Sequence, residues 1–271
     1  MTGFQNLHTH TTYCDGALPP EEMVKAAISK GLTSLGFSEH SYVPFDIHYS
    51  MGFEETQNYI RDVNALKEKY DGIIDVFLGL EQDYYSTNVP DGLDYIIGTL
   101  HYTYAGGELA SADVGKPQQK ALIDRLFGGD FYTFTDDYYN TFSKIAKKTK
   151  ADIIGHFDLV TKYNAGSYFF DESNPRYLDA AISAMDEILK DCNLFEINTG
   201  AMYRLGKAEP YPSPYLLKHL KSRGGEVILS SDSHNADSLG YMFSEMVQLL
   251  KAYGFNHIKR LTKSGFISVD I

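Results

Sequence analysis

The sequence predicts an α/β domain of parallel strands covered by helices. A barrel is the simplest closure and an open doubly wound sheet the alternative. Three observations predict this. Seven short apolar runs mostly alternate with stretches of helical spacing. No linker or low-complexity segment interrupts them, so residues 1–271 read as a single domain. The runs also tend to stop on histidines and carboxylates, at the end where a parallel barrel keeps its active site.

Residues 4–7 form the first run, which leads directly into His8-Thr9-His10, with Asp15 following. On a strand, residues two apart project from one face, so His8 and His10 aim their imidazoles at one point. That arrangement suits a divalent transition metal. Pro19, Pro20, Glu21 and Glu22 open a helix to about Lys30, since proline and acids suit a helix N-terminus, and Gly31 stops it. The run at 32–37 ends in Ser38-Glu39-His40-Ser41. Residues 42–53 are aromatic and helix-poor, which predicts a loop over the strand ends, and 54–70 has helical spacing.

The run at 73–80 closes on Glu81-Gln82-Asp83, and the run at 95–100 on His101-Tyr102. Glycines, a proline and mixed polarity at 103–129 predict an excursion with one short helix. A helix over 135–148 has Thr135, Asp136 and Asp137 at its start and Lys147 and Lys148 in its last turn, as the macrodipole prefers. The fifth run, 151–155, ends at His156. Asn174 then caps a helix to about Lys190. The sixth run, 193–197, ends in Asn198-Thr199-Gly200, and a proline-bearing loop leads into a helix over 215–222. The seventh run, 226–229, ends in Ser230-Ser231-Asp232-Ser233-His234. A helix over 237–253 and a short strand at 266–269 complete the chain.

The chain is 43% apolar and 22% charged, enough to bury a substantial core. Its 21 tyrosines suit an amphipathic cleft, or simply wall material. The formal charge of −12 argues against nonspecific binding to nucleic acid polymers or anionic membranes. An anionic small substrate stays open, because bound metal ions invert the local field. Cys14 and Cys192 form no disulfide framework and fit a reducing compartment. With no leader pattern and no apolar stretch of about 18 residues, a soluble cytoplasmic protein is expected.

His8, His10, His40, Glu81, His101, His156, Asp232 and His234 all fall where an apolar run stops. With Asp15 added, six histidines and three carboxylates exceed the needs of one tetrahedral ion. They suffice for two or three ions that share bridging groups, the kind that clamp attacking and leaving oxygens in phosphoryl transfer. In order along the chain, His8-Thr-His10, Ser-Glu-His40, Gly-Leu-Glu81, Gly-Thr-Leu-His101, Gly-His156 and Ser-Asp232-Ser-His234 resemble the PHP (polymerase and histidinol phosphatase) family. Segments 94–101, 155–159 and 196–200 look like its histidinol-phosphate phosphatase branch.

The resemblance implies a distorted (β/α)7 barrel, TIM-barrel-like, holding three divalent ions of Zn, Mn or Fe. By motif position, the first ion takes His8, His10, Glu81 and Asp232. The second shares Glu81 and adds His101 and His156, and the third takes Asp15, His40 and His234. The implied partner is a small phosphate ester, L-histidinol phosphate, cleaved to L-histidinol and phosphate by metal-bound hydroxide, with Glu81, Asp232 and His234 catalytic. A nucleotide or phosphotyrosine substrate and a non-catalytic metal-binding module are the alternatives. Arg204 is the first choice for clamping phosphate and Lys162 the second. Arg176 reads as structural, and His48, His219 and His257 read as outside the ligand set. Glu39 faces away from His40 if extended and is left out, Glu196 reads as a contact behind the ligands, and the 42–53 loop with Asp46 offers packing and charge to an imidazole-bearing amine.

Overall fold

The computed structural model describes residues 3–271. Strand β1 (Gln5–Asn6) is followed by α1 (Pro20–Ser29), β2 (Ser34–Phe37), α2 (Phe53–Lys69), β3 (Asp75–Asp83) and β4 (Tyr95–Thr99). An outlying hairpin, β5 (Tyr102–Ala105) with β6 (Glu108–Ser111), precedes α3 (Lys116–Leu126), α4 (Phe131–Phe142) and α5 (Ile145–Thr149). Then come β7 (Ile153–Ile154), α6 (Pro175–Ile188), β8 (Leu194–Asn198), α7 (Gly200–Leu205) and α8 (Pro214–Ser222). The chain finishes with β9 (Glu226–Ser230), α9 (Phe243–Ala252) and the hairpin of β10 (His257–Thr262) and β11 (Gly265–Asp270).

Seven strands pair in the order β1-β2-β3-β4-β7-β8-β9, every pair parallel. The two edges meet just past β1 and β9. There Thr9 and Ser233 form a parallel bridge, with His10 N donating to Ser233 O at 2.8 Å and Ser233 N to His8 O at 3.0 Å. This seam nearly closes a distorted (β/α)7 barrel, and it places His8, His10, Asp232 and His234 side by side. Toward the opposite end, the Gln5 side chain grips Leu261 of β10 through its backbone N and O, at 2.8 and 2.9 Å.

The barrel interior is one cluster of Leu7, Phe77, Tyr95, Ile97, Ile153, Leu194, Ile228 and Leu261. Tyr95 shapes it. A Cβ on Gly79 would lie 2.2 Å from the Tyr95 ring and one on Gly36 2.4 Å from its hydroxyl, so neither position has room for a side chain. That hydroxyl reaches the carbonyls of Leu7 and Phe37, tying β1 and β2 to β4. Outside the sheet, Met23, Val24 and Ala27 of α1 and Tyr59, Val63 and Leu66 of α2 cover Leu35, Phe37, Leu78 and Leu80. α6 buries Tyr177, Ala181, Ala184, Met185 and Ile188, the spacing of one helix face, and each large apolar side chain so buried contributes about 1.5–3 kcal/mol.

The structure corrects several element boundaries. The helix expected over 135–148 starts earlier, because the Asp130 carboxylate accepts from Tyr132 N at 2.9 Å and caps α4, and it breaks between α4 and α5. In the 103–129 excursion, Gly106 and Gly107, at φ 60° and 88°, form the tight turn of the β5–β6 hairpin. The last helix covers only Phe243–Ala252, since Gly240 and Met242 have positive φ. The expected strand at 266–269 lies within β11 and is paired antiparallel with β10.

Candidate metal centre

The strand order brings every proposed ligand to one end of the barrel, and Glu81 at the end of β3 lies among them. Its Oε2 is 3.4 Å from His8 Nε2, 3.5 Å from His10 Nε2 and 2.7 Å from His40 Nδ1. Its Oε1 is 2.9 Å from His156 Nε2 and 3.5 Å from His101 Nε2. Asp232 Oδ1 lies 3.8, 3.4 and 3.5 Å from His8 Nε2, His10 Nε2 and His234 Nδ1. Asp15 completes the rim, 3.6 Å from His40 Nε2 and 3.1 Å from His234 Nε2. Asp232 holds φ at 45°, a strained setting for a non-glycine residue.

A second layer orients these rings. Glu196 Oε2 sits 2.9 Å from His8 Nδ1, and its other oxygen accepts His156 N at 2.6 Å and Asn198 Nδ2 at 2.7 Å. Asp83 Oδ2 sits 3.1 Å from His101 Nδ1 and also accepts His101 N. A carboxylate there calls for the proton on Nδ1, which leaves each Nε2 as a lone pair directed at Glu81. Glu39 does face away from His40. It is fully buried and accepts from Thr11 N at 3.1 Å, Thr11 Oγ1 at 2.5 Å and Cys14 Sγ at 2.6 Å. These bonds pin the turn that carries Asp15, where a Cβ on Gly16 would fall 2.4 Å from the His10 carbonyl.

These residues fit divalent metal ions. His8 Nε2 and His10 Nε2 are buried without a hydrogen-bond partner among the described residues, a loss of about 1–3 kcal/mol each if nothing else binds them. Two ligand atoms about 2.1 Å from a tetrahedral ion sit about 3.4 Å apart. That matches the 3.4–3.5 Å separations of His8 and His10 from Glu81, which are too long for hydrogen bonds. The electrostatics show that the carboxylates draw positive charge to this cluster. Burial opposes charge throughout, yet Glu196, Asp232 and Glu81 raise His8 well above its ordinary value, and Glu81 and Asp15 do the same for His40. Against the same burial, His40 and His8 hold Glu81 well below the carboxylate range, and Arg204 and His8 do so for Asp232. His10 differs: burial, then His234 and His40, bring it down to about 3, the neutral form a metal needs.

A cavity of about 340 Å³ opens over this cluster, with Asp46, Tyr49, Tyr102, Asp113, Lys162 and Arg204 on its walls. Arg204 stands on α7, a short helix that the sequence reading missed. Its Nη2 donates to Asp232 Oδ2 at 2.9 Å and its Nη1 to Asp232 O at 2.6 Å, bracing the strained residue, and Nη1 also lies 3.0 Å from His234 Nδ1. Lys162 is hydrogen-bonded to Asp113, which the sequence reading also missed. Burial would push the Asp113 carboxyl up, but Lys162 brings it below its usual range. Arg176 ties α6 to Asp130 and Asp136, as a structural residue should. His48 is exposed, His219 pairs with Asp186 and His257 stands near Glu226, all outside the cluster. Asp83 and Asn198 are the other omissions. Each lies two residues beyond a carboxylate of the centre, and that period-two spacing was a usable signal.

Known proteins share this arrangement of sequence and fold. The family model described as the PHP domain matches residues 6–200. A probable histidinol-phosphatase of Deinococcus radiodurans is 31% identical, over 94% of this chain and 95% of its own. A solved structure of a candidate histidinol phosphatase from Listeria monocytogenes superposes with a TM-score of 0.76 at 20% identity, covering 89% of this chain and 99% of the other. A histidinol phosphate phosphatase from Lactococcus lactis, solved with zinc, L-histidinol and phosphate, gives 0.69 at 20% identity, over 97% and 98%. Sequence match and barrel agree: the chain belongs to the PHP domain family.

Proposed function

We propose that this chain is a metal-dependent phosphomonoesterase that hydrolyses L-histidinol phosphate to L-histidinol and phosphate, acting as one domain in the cytoplasm. The observation that carries the chemistry is the two-sided environment of Glu81. His8, His10 and His40 crowd one of its oxygens, and His101 and His156 the other. A carboxylate so flanked can serve two cations at once. The similarity to proteins named as histidinol-phosphatases supports the substrate.

We assign three divalent ions, of Zn, Mn or Fe, which suit mixed imidazole and carboxylate donors. His8, His10, Glu81 and Asp232 would hold the first, Glu81, His101 and His156 the second, and Asp15, His40 and His234 the third. Bound there, such ions lower the pKa of coordinated water and take up charge on phosphoryl oxygens. The protein supplies position. Glu196 and Asp83 fix the tautomers of His8 and His101, and Arg204 secures Asp232 while lining the cavity where phosphate oxygens would bind. Lys162 adds a second cation to the wall, balanced by Asp113.

Phosphate release from L-histidinol phosphate, a nucleotide panel and phosphotyrosine, with Mn or Zn supplied, tests the assignment. The proposal predicts strong preference for L-histidinol phosphate. Turnover confined to another ester would discard the substrate and keep the chemistry. No turnover by a metal-loaded protein would discard both.

A further inference from the structure

Five acidic residues line the cavity over the metal centre: Asp15, Asp46, Glu81, Asp113 and Asp232. Four of them have basic partners. Asp15 and Glu81 meet histidines, Asp113 meets Lys162, and Asp232 meets Arg204. Asp46 does not. Among the described residues no Lys, Arg or His nitrogen lies within 4.0 Å of it, and its Oδ2 accepts only the Tyr102 hydroxyl, at 2.7 Å. A carboxylate in a cavity without a cation is suited to receive one from a ligand.

The surroundings say where that cation comes from. Asp46 lies on the loop that leans on the metal centre, with the Tyr49 ring 4.7 Å from the His40 ring and 6.1 Å from that of His101. The Tyr49 hydroxyl, on the same cavity wall, is buried and has no partner among the described residues. Tyr102 follows His101 directly, and its ring is packed edge-on against Phe45 at 5.0 Å. Asp46, Tyr49 and Tyr102 thus line the same cavity as the metal centre, where the organic part of an ester with its phosphate on the metal side would lie.

We infer that Asp46 is the specificity-determining residue that binds the ammonium group of an amine-bearing phosphate ester, with Tyr49 and Tyr102 as the adjoining wall. This rests on the proposed function, which supplies such an ester: L-histidinol phosphate carries its ammonium on the second carbon from the ester oxygen. Arg204 and Lys162 serve the phosphate end, and Asp46 the other. Amine-bearing esters are thereby selected over esters that lack an amine.

Three substrates test this: L-histidinol phosphate, its des-amino analogue 3-(imidazol-4-yl)propyl phosphate, and p-nitrophenyl phosphate. Each is assayed with metal-loaded wild type and Asp46→Asn, whose metal contents are measured alongside. Loss of one charge-assisted hydrogen bond predicts a kcat/KM about 10- to 100-fold lower for L-histidinol phosphate, expressed mainly in KM. The des-amino ester should change by no more than about twofold, and metal content should not change. Equal losses on both imidazole esters, or lower metal content, would make Asp46 a structural residue and overturn the inference. So would a variant that keeps the wild-type preference for the amine, although the substrate assignment would then survive. A wild type that hydrolyses p-nitrophenyl phosphate as well as it does L-histidinol phosphate would overturn the substrate assignment, and this inference with it.

Discussion

Replacing Glu196 with glutamine tests whether the second layer prepares the histidines to act as the proposed ligands. The substitution preserves size and keeps one acceptor. His156 N and Asn198 Nδ2 both donate to Oε1, at 2.6 and 2.7 Å, so the amide oxygen is held at that position. The amide nitrogen must then face His8 Nδ1, 2.9 Å away in the wild type. Two donors cannot share that contact, so His8 moves its proton to Nε2, the atom directed at Glu81 and Asp232. The ion proposed at His8, His10, Glu81 and Asp232 would then lose an imidazole lone pair. Losing an outer-shell partner of this kind costs about 10–100-fold in metal affinity, roughly 1.4–2.7 kcal/mol. The assay is metal content by mass spectrometry together with a chelator competition that gives the affinity. The variant should bind metal more weakly, remain folded by circular dichroism, and recover activity in excess metal. Unchanged affinity and activity would refute the tautomer argument.

Further outcomes follow from the same geometry. Glu81→Ala and Asp232→Ala should each abolish phosphatase activity in a folded protein, and wild-type turnover in either would end the ligand assignment. Arg204→Ala should reduce kcat/KM for L-histidinol phosphate by about 10-fold or more, because a hydrogen bond to a charged group contributes about 1.5–3 kcal/mol. Unchanged kinetics would leave Arg204 no part in phosphate binding. Stripping metal with a chelator should lower the melting temperature, and restoring it at about 100 times its Kd should return about 2.7 kcal/mol per site. A melting temperature indifferent to metal would contradict the fit of the buried nitrogens.

Much of the centre was legible in the sequence because a strand has a period of two and a parallel barrel gathers its strand ends. His8 with His10 is the plain case. Glu81 with Asp83 and Glu196 with Asn198 have the same spacing, but Asp83 and Asn198 lie behind the proposed ligands, and no letter distinguishes that place. Glu39 was correctly placed facing away from His40, yet its contact with Thr11 and Cys14 depends on how the 11–16 turn folds back. Arg204 was legible as a cation near the mouth. Its grip on Asp232 was not, because α7 runs only from Gly200 to Leu205, too short to announce itself by periodicity. The β5–β6 hairpin did carry a signal, the Gly106-Gly107 pair, hidden in a segment of mixed polarity. The Lys162–Asp113 pair joins residues from separate segments, and only the closed fold brings them together.

The central claim is that Glu81 joins several metal ions into one catalytic centre. Anomalous diffraction from crystals grown with zinc or manganese, recorded on both sides of the metal edge, tests it most directly. The account predicts three peaks, two of them sharing the Glu81 carboxylate, with Asp15, His40 and His234 around the third. A single peak, or peaks that leave Glu81 uncoordinated, would contradict it.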